Sequence, residues 1–430
     1  MKKIILFFLL TASGHLYAQF SEADKLFLEQ AFKEIEEISK KDNGNLWGLN
    51  FNQPVMVINE NSREIIANKP DKEGILVKQG NIYFGRYPEN KVIGNSITKL
   101  GGVTYGYISH PFPYPDFYVK IQLLHEIFHV LQPDLNIKPQ KFDLHHIDNM
   151  NAKVLLKLEW AALEKALTSN IEVDKKIHIE NALKFRKKRH LLYPMYVNDE
   201  IKFELQEGTA EYTGHMLVAS NLDDYQKSIS MIGELVKSAE SIAESFPYYT
   251  GCLYGGLLYS YNESWGKKLM NSDDLGILLM EYSGIAEIDT SFNKHFISEN
   301  YNVDEIEKIE LDKEIAKRNQ LLSYQQTFHN DTVLLLDLVE PSIESYPTGN
   351  KITLDSAGVI HQSIKLYDVW GKLNVKNGGC LINTKATKAT IPASNLKIAE
   401  NILTTENWEL VLENDWQLIF SEGRYYLKQE

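Results

Sequence analysis

The chain has 430 residues, of which 43% are hydrophobic, so it is long and apolar enough to bury at least one full core. Its formal net charge of −13 excludes the broad basic surface that attracts nucleic acids or anionic membranes, and we expect no nucleic-acid partner. The two cysteines, Cys252 and Cys380, are too few for a disulfide scaffold, a cysteine-based zinc finger or an iron–sulfur ferredoxin, although they could pair with each other.

The first residues have the order of a secretory signal peptide. Two lysines follow Met1, the run 4–10 is apolar, and small and polar residues continue to Ala18. The apolar run is far shorter than the roughly 20 residues that span a bilayer, and no later stretch is long and apolar enough to do so. We therefore expect residues 1–18 to be a cleaved signal peptide and the mature protein to be periplasmic or secreted, with no transmembrane segment.

Helical and strand patterns follow in chain order. Apolar residues with a 3.6-residue period after Ser21 predict a helix over Glu22–Lys41. Short apolar runs separated by Asn, Gly and Pro predict a small sheet with strands at Pro54–Ile58, Ile65–Ala67, Ile82–Gly85 and Val103–Ile108. The helical period then predicts helices at Asp116–Gln132, Asn151–Thr168, Val173–His190, Asn198–Ser220 and Asp223–Ser245.

Beyond about residue 330 the pattern changes to short strands separated by turn residues. The alternating runs Trp408–Leu412 and Trp416–Phe420, joined by three polar residues, predict a hairpin with one buried face. We therefore expect an α+β protein: a mostly helical domain over residues 19–329 with a small N-terminal sheet, and an all-β accessory domain over residues 330–430.

The predicted helix at residues 116–132 contains the motif H-E-x-x-H, formed by His125, Glu126 and His129. Residues four apart lie on one face of a helix, about 6 Å apart along its axis, so both imidazoles can reach a single metal ion. Glu126 follows the first histidine, where its carboxylate can deprotonate a metal-activated water without being a ligand. The alternative is a pair of core histidines with local hydrogen bonds.

A catalytic zinc ion needs a third protein ligand and an open fourth position. No histidine follows at the close spacing of the metzincins, so a carboxylate from another helix is the expected third ligand. Glu207 is the best candidate because Gly208 would let its helix approach the first helix closely. Helical spacing places four glutamates on one face, a pattern that is also typical of a solvated acidic surface. They are Glu200, Glu204, Glu207 and Glu211.

Glu159 is a second candidate for the third ligand. It lies beside Trp160 among apolar residues, where an unpaired charge is costly, so it needs a partner. That partner could be a metal ion, or Arg186 or Arg189 in a salt bridge. The sequence leaves both alternatives open.

The two motifs together, H-E-x-x-H and the later E-G-x-A-x-Y that begins at Glu207, resemble those of the gluzincin metallopeptidases, such as the thermolysin-like and alanyl-aminopeptidase-like enzymes. The resemblance covers roughly residues 117–132 and 199–216. It implies a zincin-like catalytic domain in which His125, His129 and Glu207 bind Zn²⁺. It also implies that Glu211 supports the first histidine. More broadly, a set of short motifs is similar to those of uncharacterised exported bacterial proteins regarded as candidate peptidases: the run 155–163, Phe185-Arg186, Glu207-Gly208 and Thr213-Gly214.

In gluzincins a Tyr or His downstream of the third ligand usually stabilises the oxyanion of the transition state. In this chain the run 246–256 combines tyrosines with glycines, and we expect Tyr249 or Tyr254 to be that catalytic donor. The alternative is that both tyrosines are packing residues. No nucleophile elbow, phosphate-binding loop or dinucleotide fingerprint occurs that would indicate another chemistry.

These observations predict an exported zinc-dependent peptidase that hydrolyses peptide bonds of a peptide or protein substrate with metal-activated water and Glu126 as general base. One alternative is a zinc amidase that acts on a non-peptide or cell-wall substrate. The other is an exported binding protein without catalytic activity.

Overall fold

A computed structural model of the protein describes residues 19–239, 241–269, 273–330, 332–345 and 351–430. The expected signal peptide, residues 1–18, lies outside the described residues. The chain divides into two compact units between Glu310 and Leu311. The α+β fold class is confirmed: helices and a small sheet form the first unit, and strands dominate the second.

The small N-terminal sheet has the order β3-β4-β2-β1-β6-β5 among the described residues, with β1 and β6 parallel and the other pairs antiparallel. The four expected strands are present with slightly shifted ends, but β3 and β5 were not expected. Their residues are mostly exposed or half-buried, so they lack the apolar run that marks a strand. The strands are β1 (Val55–Asn59), β2 (Glu64–Ala67), β3 (Val77–Gln79), β4 (Ile82–Arg86), β5 (Ser96–Leu100) and β6 (Val103–His110).

Helices make up most of the first unit. Ser21 caps α1 in a capping box with Asp24, as the sequence pattern indicates. The helices are α1 (Glu22–Asp42), α2 (Asp116–Leu131), α3 (Met150–Thr168), α4 (Glu172–Leu192), α5 (Val197–Phe203), α6 (Thr209–Val218), α7 (Leu222–Ser238), α8 (Phe246–Tyr261), α9 (Leu275–Ser283), α10 (Lys294–Tyr301) and α11 (Val303–Asn330), and the last continues into the second unit.

Two helix predictions need correction. The expected helix over Asn198–Ser220 is interrupted by a π-helical segment, Glu204–Gly208, which lies between α5 and α6. A π turn holds one more residue than an α turn, so it rotates the residues that follow it relative to those before it. The sequence expectation assumed a regular α-helical period throughout and therefore did not include the segment. The other expected helix, Asp223–Ser245, ends at Ser238.

A glycine allows another helix to pack closely against α2, but it is Gly214 rather than the expected Gly208. A Cβ at Gly214 on α6 would lie 2.5 Å from the carbonyl oxygen of Ile121 on α2, so only glycine allows this approach. A Cβ at Gly208 would instead lie 2.8 Å from the carbonyl oxygen of Pro247 on α8. Gly208 therefore serves the packing against α8, and Gly214 permits the close approach of α6 to α2.

The second unit contains two sheets that share one apolar core. Among the described residues the orders are β18-β19-β7-β14-β13-β10-β9 and β15-β16-β17-β12-β11-β8. The strands are β7 (Val333–Asp337), β8 (Ser342–Ser345), β9 (Lys351–Leu354), β10 (Gly358–His361), β11 (Ile364–Asp368), β12 (Gly371–Val375), β13 (Cys380–Ile382), β14 (Lys388–Pro392), β15 (Lys397–Ala399), β16 (Ile402–Thr404), β17 (Trp408–Leu412), β18 (Trp416–Ser421) and β19 (Arg424–Gln429).

The expected hairpin between β17 and β18 is wrong. β17 pairs with β12 and β16 in one sheet, whereas β18 pairs with β19 in the other. Both strands direct apolar residues into the shared core, Trp408 and Trp416 among them. The alternation was therefore read correctly as one buried face, but the residues between the strands carry the chain from one sheet to the other.

The boundary expected between residues 329 and 330 falls later than the division of the structure, because the second half of α11 packs with the β unit. Phe328 is buried with Leu354, Ile360 and Leu381 in a small apolar cluster. The two cysteines are both buried and free, so they do not pair. Within the described part of the chain, no helix has both the length and the apolar character that crossing a bilayer requires.

Candidate metal centre

The H-E-x-x-H motif lies in the second half of α2, and two of its three polar side chains are almost completely withdrawn from water. His125 is 4% exposed and Glu126 is 3% exposed, while His129 is partly buried near the end of the helix. α2 packs against β6 and α6, so its core-facing positions are fixed on two sides. The histidines are therefore held in place by the packing of the whole helix.

Glu207 meets the two histidines from the π-helical segment. Its Oε2 atom lies 3.5 Å from His125 Nε2 and 3.3 Å from His129 Nε2, and the two Nε2 atoms are 2.9 Å apart. In a tetrahedral zinc site with bonds of about 2.0–2.1 Å, neighbouring ligand atoms are about 3.3–3.4 Å apart. The three atoms thus form nearly the triangle that one face of such a site requires, and they could hold a metal ion.

The tautomers of both histidines follow from their outer partners. His125 Nδ1 lies 2.7 Å from Glu211 Oε2, and His129 Nδ1 lies 2.9 Å from Gln132 Oε1. Both partners are acceptors, and the Gln132 amide is oriented because its Nε2 donates to the carbonyl oxygen of Gln206. Each Nδ1 therefore carries a proton, which leaves the Nε2 lone pairs directed at each other.

Three acceptor atoms that face one another repel unless a proton or a metal cation lies between them. This charge balance is visible in the pKa values of the site. Burial acts to lower the pKa of His125, but the hydrogen bonds and charges of Glu207 and Glu211 outweigh it and raise the pKa. Burial acts to raise the pKa of Glu207, but hydrogen bonds to His125 and His129 hold it far below its usual range. The centre thus favours a bound positive charge.

The expectation that four glutamates share one helical face is wrong, because the π-helical segment divides them. Glu207 and Glu211 face α2, whereas Glu204 forms two hydrogen bonds with Arg186 and Glu200 binds Arg189, both on α4. The residues before and after a π turn are rotated relative to each other, which explains the division. π turns inside helices occur frequently at functional sites.

Glu126, the expected general base, lies beside the histidines in the same buried pocket. Burial raises the pKa of its carboxyl group, while the charges of His125 and His129 oppose the rise. Its Oε2 atom is buried and has no hydrogen-bond partner within the described residues. A carboxylate with a raised pKa and a free acceptor atom is suited to take up a proton.

The centre opens into a cavity of about 500 Å³. Its walls come from several elements that are distant in sequence, including the edge strand β5, the start of α2, the helix α7 and the start of α8. Their side chains combine polar groups beside the histidines with apolar groups farther out. Lining residues from these elements include Ser96, Ile97, Tyr118, Ile232, Val236 and Tyr248.

The expectation that Tyr249 or Tyr254 is the catalytic donor is wrong. The Tyr249 hydroxyl donates to Glu164 at 2.5 Å, the Tyr254 hydroxyl donates to Glu159 at 2.7 Å, and neither side chain lines the cavity. Tyr248 does line it, with its hydroxyl 3.3 Å from Glu207 Oε2 and its ring stacked on His125 at 5.8 Å between centroids. Neighbouring residues on a helix point in directions about 100° apart. The rotation of α8 about its axis therefore decides which tyrosine faces the cavity, and the sequence did not reveal that rotation.

Glu159 forms a salt bridge and does not approach the histidines. It is fully buried, accepts a hydrogen bond from Arg189 Nη1, and lies 3.4 Å from Arg186 Nη1 and 2.7 Å from the Tyr254 hydroxyl. Of the two alternatives for this residue, the structure therefore contains the ion pair. Glu207 is the carboxylate that the fold brings to the histidines.

Comparison of the chain with protein-family models, with curated protein sequences and with solved structures gives no match. The similarity to gluzincins therefore rests on the two short motifs. The function of the centre has to be inferred from its geometry.

We expect the substitution Glu159→Gln to lower the free energy of unfolding by about 1.5–3 kcal/mol, because it weakens the buried, charge-assisted hydrogen bonds that Glu159 accepts from Arg189 and Tyr254. Arg186 and Arg189 keep Glu204 and Glu200 as partners. Chemical denaturation followed by fluorescence would measure the loss. The matched control is Glu164→Gln on the same helix, where the ion pair with Lys237 is about one third exposed; that change should cost no more than about 1 kcal/mol. Equal effects of the two substitutions would contradict the assignment of Glu159 as a buried structural ion pair.

Proposed function

We propose that this protein is an exported zinc-dependent peptidase that hydrolyses peptide bonds with Glu126 as general base. The observation that carries the proposal is the triangle of His125 Nε2, His129 Nε2 and Glu207 Oε2, whose sides of 2.9–3.5 Å suit one face of a tetrahedral zinc site. Export is proposed on the pattern of residues 1–18 alone.

The donor set favours zinc among the common metals. Two neutral imidazoles and one carboxylate form a set typical of catalytic zinc, whereas calcium and magnesium prefer oxygen ligands only. His125, His129 and Glu207 line the cavity, so a metal ion held by these three residues would be accessible to water and substrate, as a catalytic site requires. A zinc ion in this place would supply Lewis acidity, which lowers the pKa of a water molecule and polarises a carbonyl group.

Glu126 would move the proton. Its unpartnered Oε2 atom can accept a proton from the attacking water as the oxygen of that water bonds to the peptide carbon. The same carboxyl group can then give the proton to the amide nitrogen as the carbon–nitrogen bond breaks. A carboxylic acid and an amine form, and transfer of the acid proton to the amine gives the carboxylate and ammonium products.

Tyr248 would stabilise the charge that develops on the substrate. Its ring is fixed against His125, and its hydroxyl already lies at the edge of the metal triangle beside Glu207. Burial and the nearby carboxylates raise the pKa of Tyr248, so the hydroxyl keeps its proton and remains a donor. It can donate to the carbonyl oxygen as that oxygen becomes negative.

A peptide suits the cavity better than a compact non-peptide amide. β5 is the edge strand of the described sheet, and its residues Ser96 and Ile97 line the cavity beside the centre. An edge strand offers backbone N–H and C=O groups to an extended chain, which can add as a further strand. Apolar groups of α7, including Ile232 and Val236, can contact side chains of such a substrate.

Metal analysis tests the first step. The purified protein should contain about one zinc ion per chain, and Glu207→Gln should weaken zinc binding by more than about 100-fold, since a direct ligand matters more than an outer partner of a ligand. Glu164→Gln, which changes a distant carboxylate in the same way, should retain zinc. If the unsubstituted protein binds no zinc under mild conditions, the proposed function fails.

The role of Glu126 is tested by turnover. Glu126→Gln should retain zinc but lower kcat by about 10²–10⁴-fold on a library of quenched fluorescent peptides, because it removes the proton acceptor and keeps the shape. Wild-type turnover in this variant would refute the base assignment. A zinc-containing wild-type protein that cleaves no peptide in the library would favour the amidase alternative.

Two neighbouring tyrosines provide a matched test of the transition-state donor. Tyr248→Phe should lower kcat by about 10²-fold with a smaller change in KM, because the hydrogen bond strengthens as the oxygen becomes charged. Tyr249→Phe removes a hydroxyl from the next residue of α8, where it contacts only Glu164 among its hydrogen-bond partners in the described structure, and should leave kcat unchanged. A larger loss in Tyr249→Phe than in Tyr248→Phe would reverse the assignment.

A further inference from the structure

Gln132 lies immediately after α2 and contacts both chain segments that form the candidate metal centre. It is 1% exposed. Its Oε1 atom is 2.9 Å from His129 Nδ1, and its Nε2 atom donates to the carbonyl oxygen of Gln206 at 2.5 Å. Gln206 belongs to the π-helical segment and directly precedes Glu207.

The first of these contacts fixes a tautomer. An isolated neutral imidazole can carry its proton on either nitrogen, and a metal needs the nitrogen without it. Because Gln132 Oε1 can only accept, the proton of His129 stays on Nδ1, and the lone pair of Nε2 points at Glu207 and His125. Gln132 thus prepares His129 as a ligand.

The second contact continues toward the third ligand. The side chain of Gln206 donates from its Nε2 atom to Glu207 Oε1 at 2.9 Å, which leaves Glu207 Oε2 directed at the histidines. His129 is thus linked by hydrogen bonds to Gln132 and from there to the backbone carbonyl of Gln206, and the side chain of that same residue donates to Glu207. Glu207 Oε2 in turn lies 3.3 Å from His129 Nε2, so these contacts connect both ring nitrogens of His129 to the π-helical segment.

The partner of the other histidine differs in kind. Glu211, a carboxylate, supports His125, and it also accepts a hydrogen bond from Tyr118. A carboxylate adds negative charge and raises the basicity of the ligand, whereas a neutral amide orients the ring without adding charge. The contribution of Gln132 is therefore one of geometry.

We infer that Gln132 is a positioning residue that couples His129 to Glu207 and so assembles the metal site from two separate chain segments. The inference rests on the proposed metal binding. It concerns the equilibrium affinity of the site and the geometry around the ion, and it assigns Gln132 no contact with substrate.

The test compares zinc affinity, by chelator competition, in Gln132→Met and in Gln226→Met. Methionine has a similar length and makes neither hydrogen bond. We expect Gln132→Met to bind zinc about 10–100-fold more weakly, the range for outer partners of metal ligands, and to alter the visible absorption of the Co²⁺-substituted protein. Gln226 also donates to a backbone carbonyl, that of Leu167, but on α7 away from the centre. Its substitution should change zinc affinity by less than twofold.

A double substitution tests the coupling itself. If Gln132 acts through Gln206, the loss in Gln132→Met/Gln206→Met should be smaller than the product of the losses in the two single variants. A loss equal to that product would overturn the coupling. Wild-type affinity and an unchanged Co²⁺ spectrum in Gln132→Met would overturn the positioning role.

A second variant, Gln132→Asn, and the zinc affinity of the unsubstituted protein complete the test. Should Gln132→Met fail to fold, Gln132→Asn keeps the amide but shortens its reach, and it should also lose about tenfold in zinc affinity; unchanged affinity there would overturn the inference. A wild-type protein without zinc affinity would instead remove the proposed function on which the inference rests. That failure is seen in the unsubstituted protein before any variant is measured.

Discussion

The first unit brings together three hydrogen-bond acceptor atoms, His125 Nε2, His129 Nε2 and Glu207 Oε2. They repel one another unless a positive charge lies between them, and this repulsion is the main physical constraint on the site. His125, His129 and Glu207 lie on elements packed against the rest of the first unit, and each side chain is largely withdrawn from water. Burying such groups without compensation costs several kcal/mol. The outer partners direct the lone pairs inward, so they increase the need for a cation at the centre.

The π-helical segment allows one stretch of chain to satisfy two opposite electrostatic demands. Glu207 on one side meets the histidines, and Glu204 on the other meets Arg186 with hydrogen bonds of 2.6 and 2.8 Å. Burial raises the pKa of Glu204 to about 7 although Arg186 opposes the rise. A regular α-helix would leave these side chains closer to one face, so the extra residue separates an internal ion pair from the metal centre.

The sequence predicted what depends on local spacing and missed what depends on tertiary register. His125 and His129 are found because residues four apart share a helical face, and Glu207 because its motif resembles a known one. The sequence did not indicate that Tyr248 rather than Tyr249 lines the cavity, because one residue along α8 turns a side chain by about 100° and only packing fixes which position faces the cavity. Gln132 carried no signal, because a glutamine after a helix is ordinary until its two partners are known.

The two units differ in how much of their structure could be predicted from the sequence. In the β unit, alternation identified the buried face of β17 and β18 but not the sheet to which each belongs, because pairing is a nonlocal choice. In the helical unit, the candidate site also joins distant segments of the chain. Its candidate ligands are nevertheless histidines and a glutamate at a recognisable spacing, so few other residues of the sequence could take their place.

If the proposed metal binds, its attraction to three converging acceptors adds to the stability of the folded state alone, since the unfolded chain does not hold those atoms together. Metal affinity and the closeness of the α2–α6 contact would then be two consequences of one arrangement, in which Gly214 permits the approach and the cation offsets the repulsion that the approach creates.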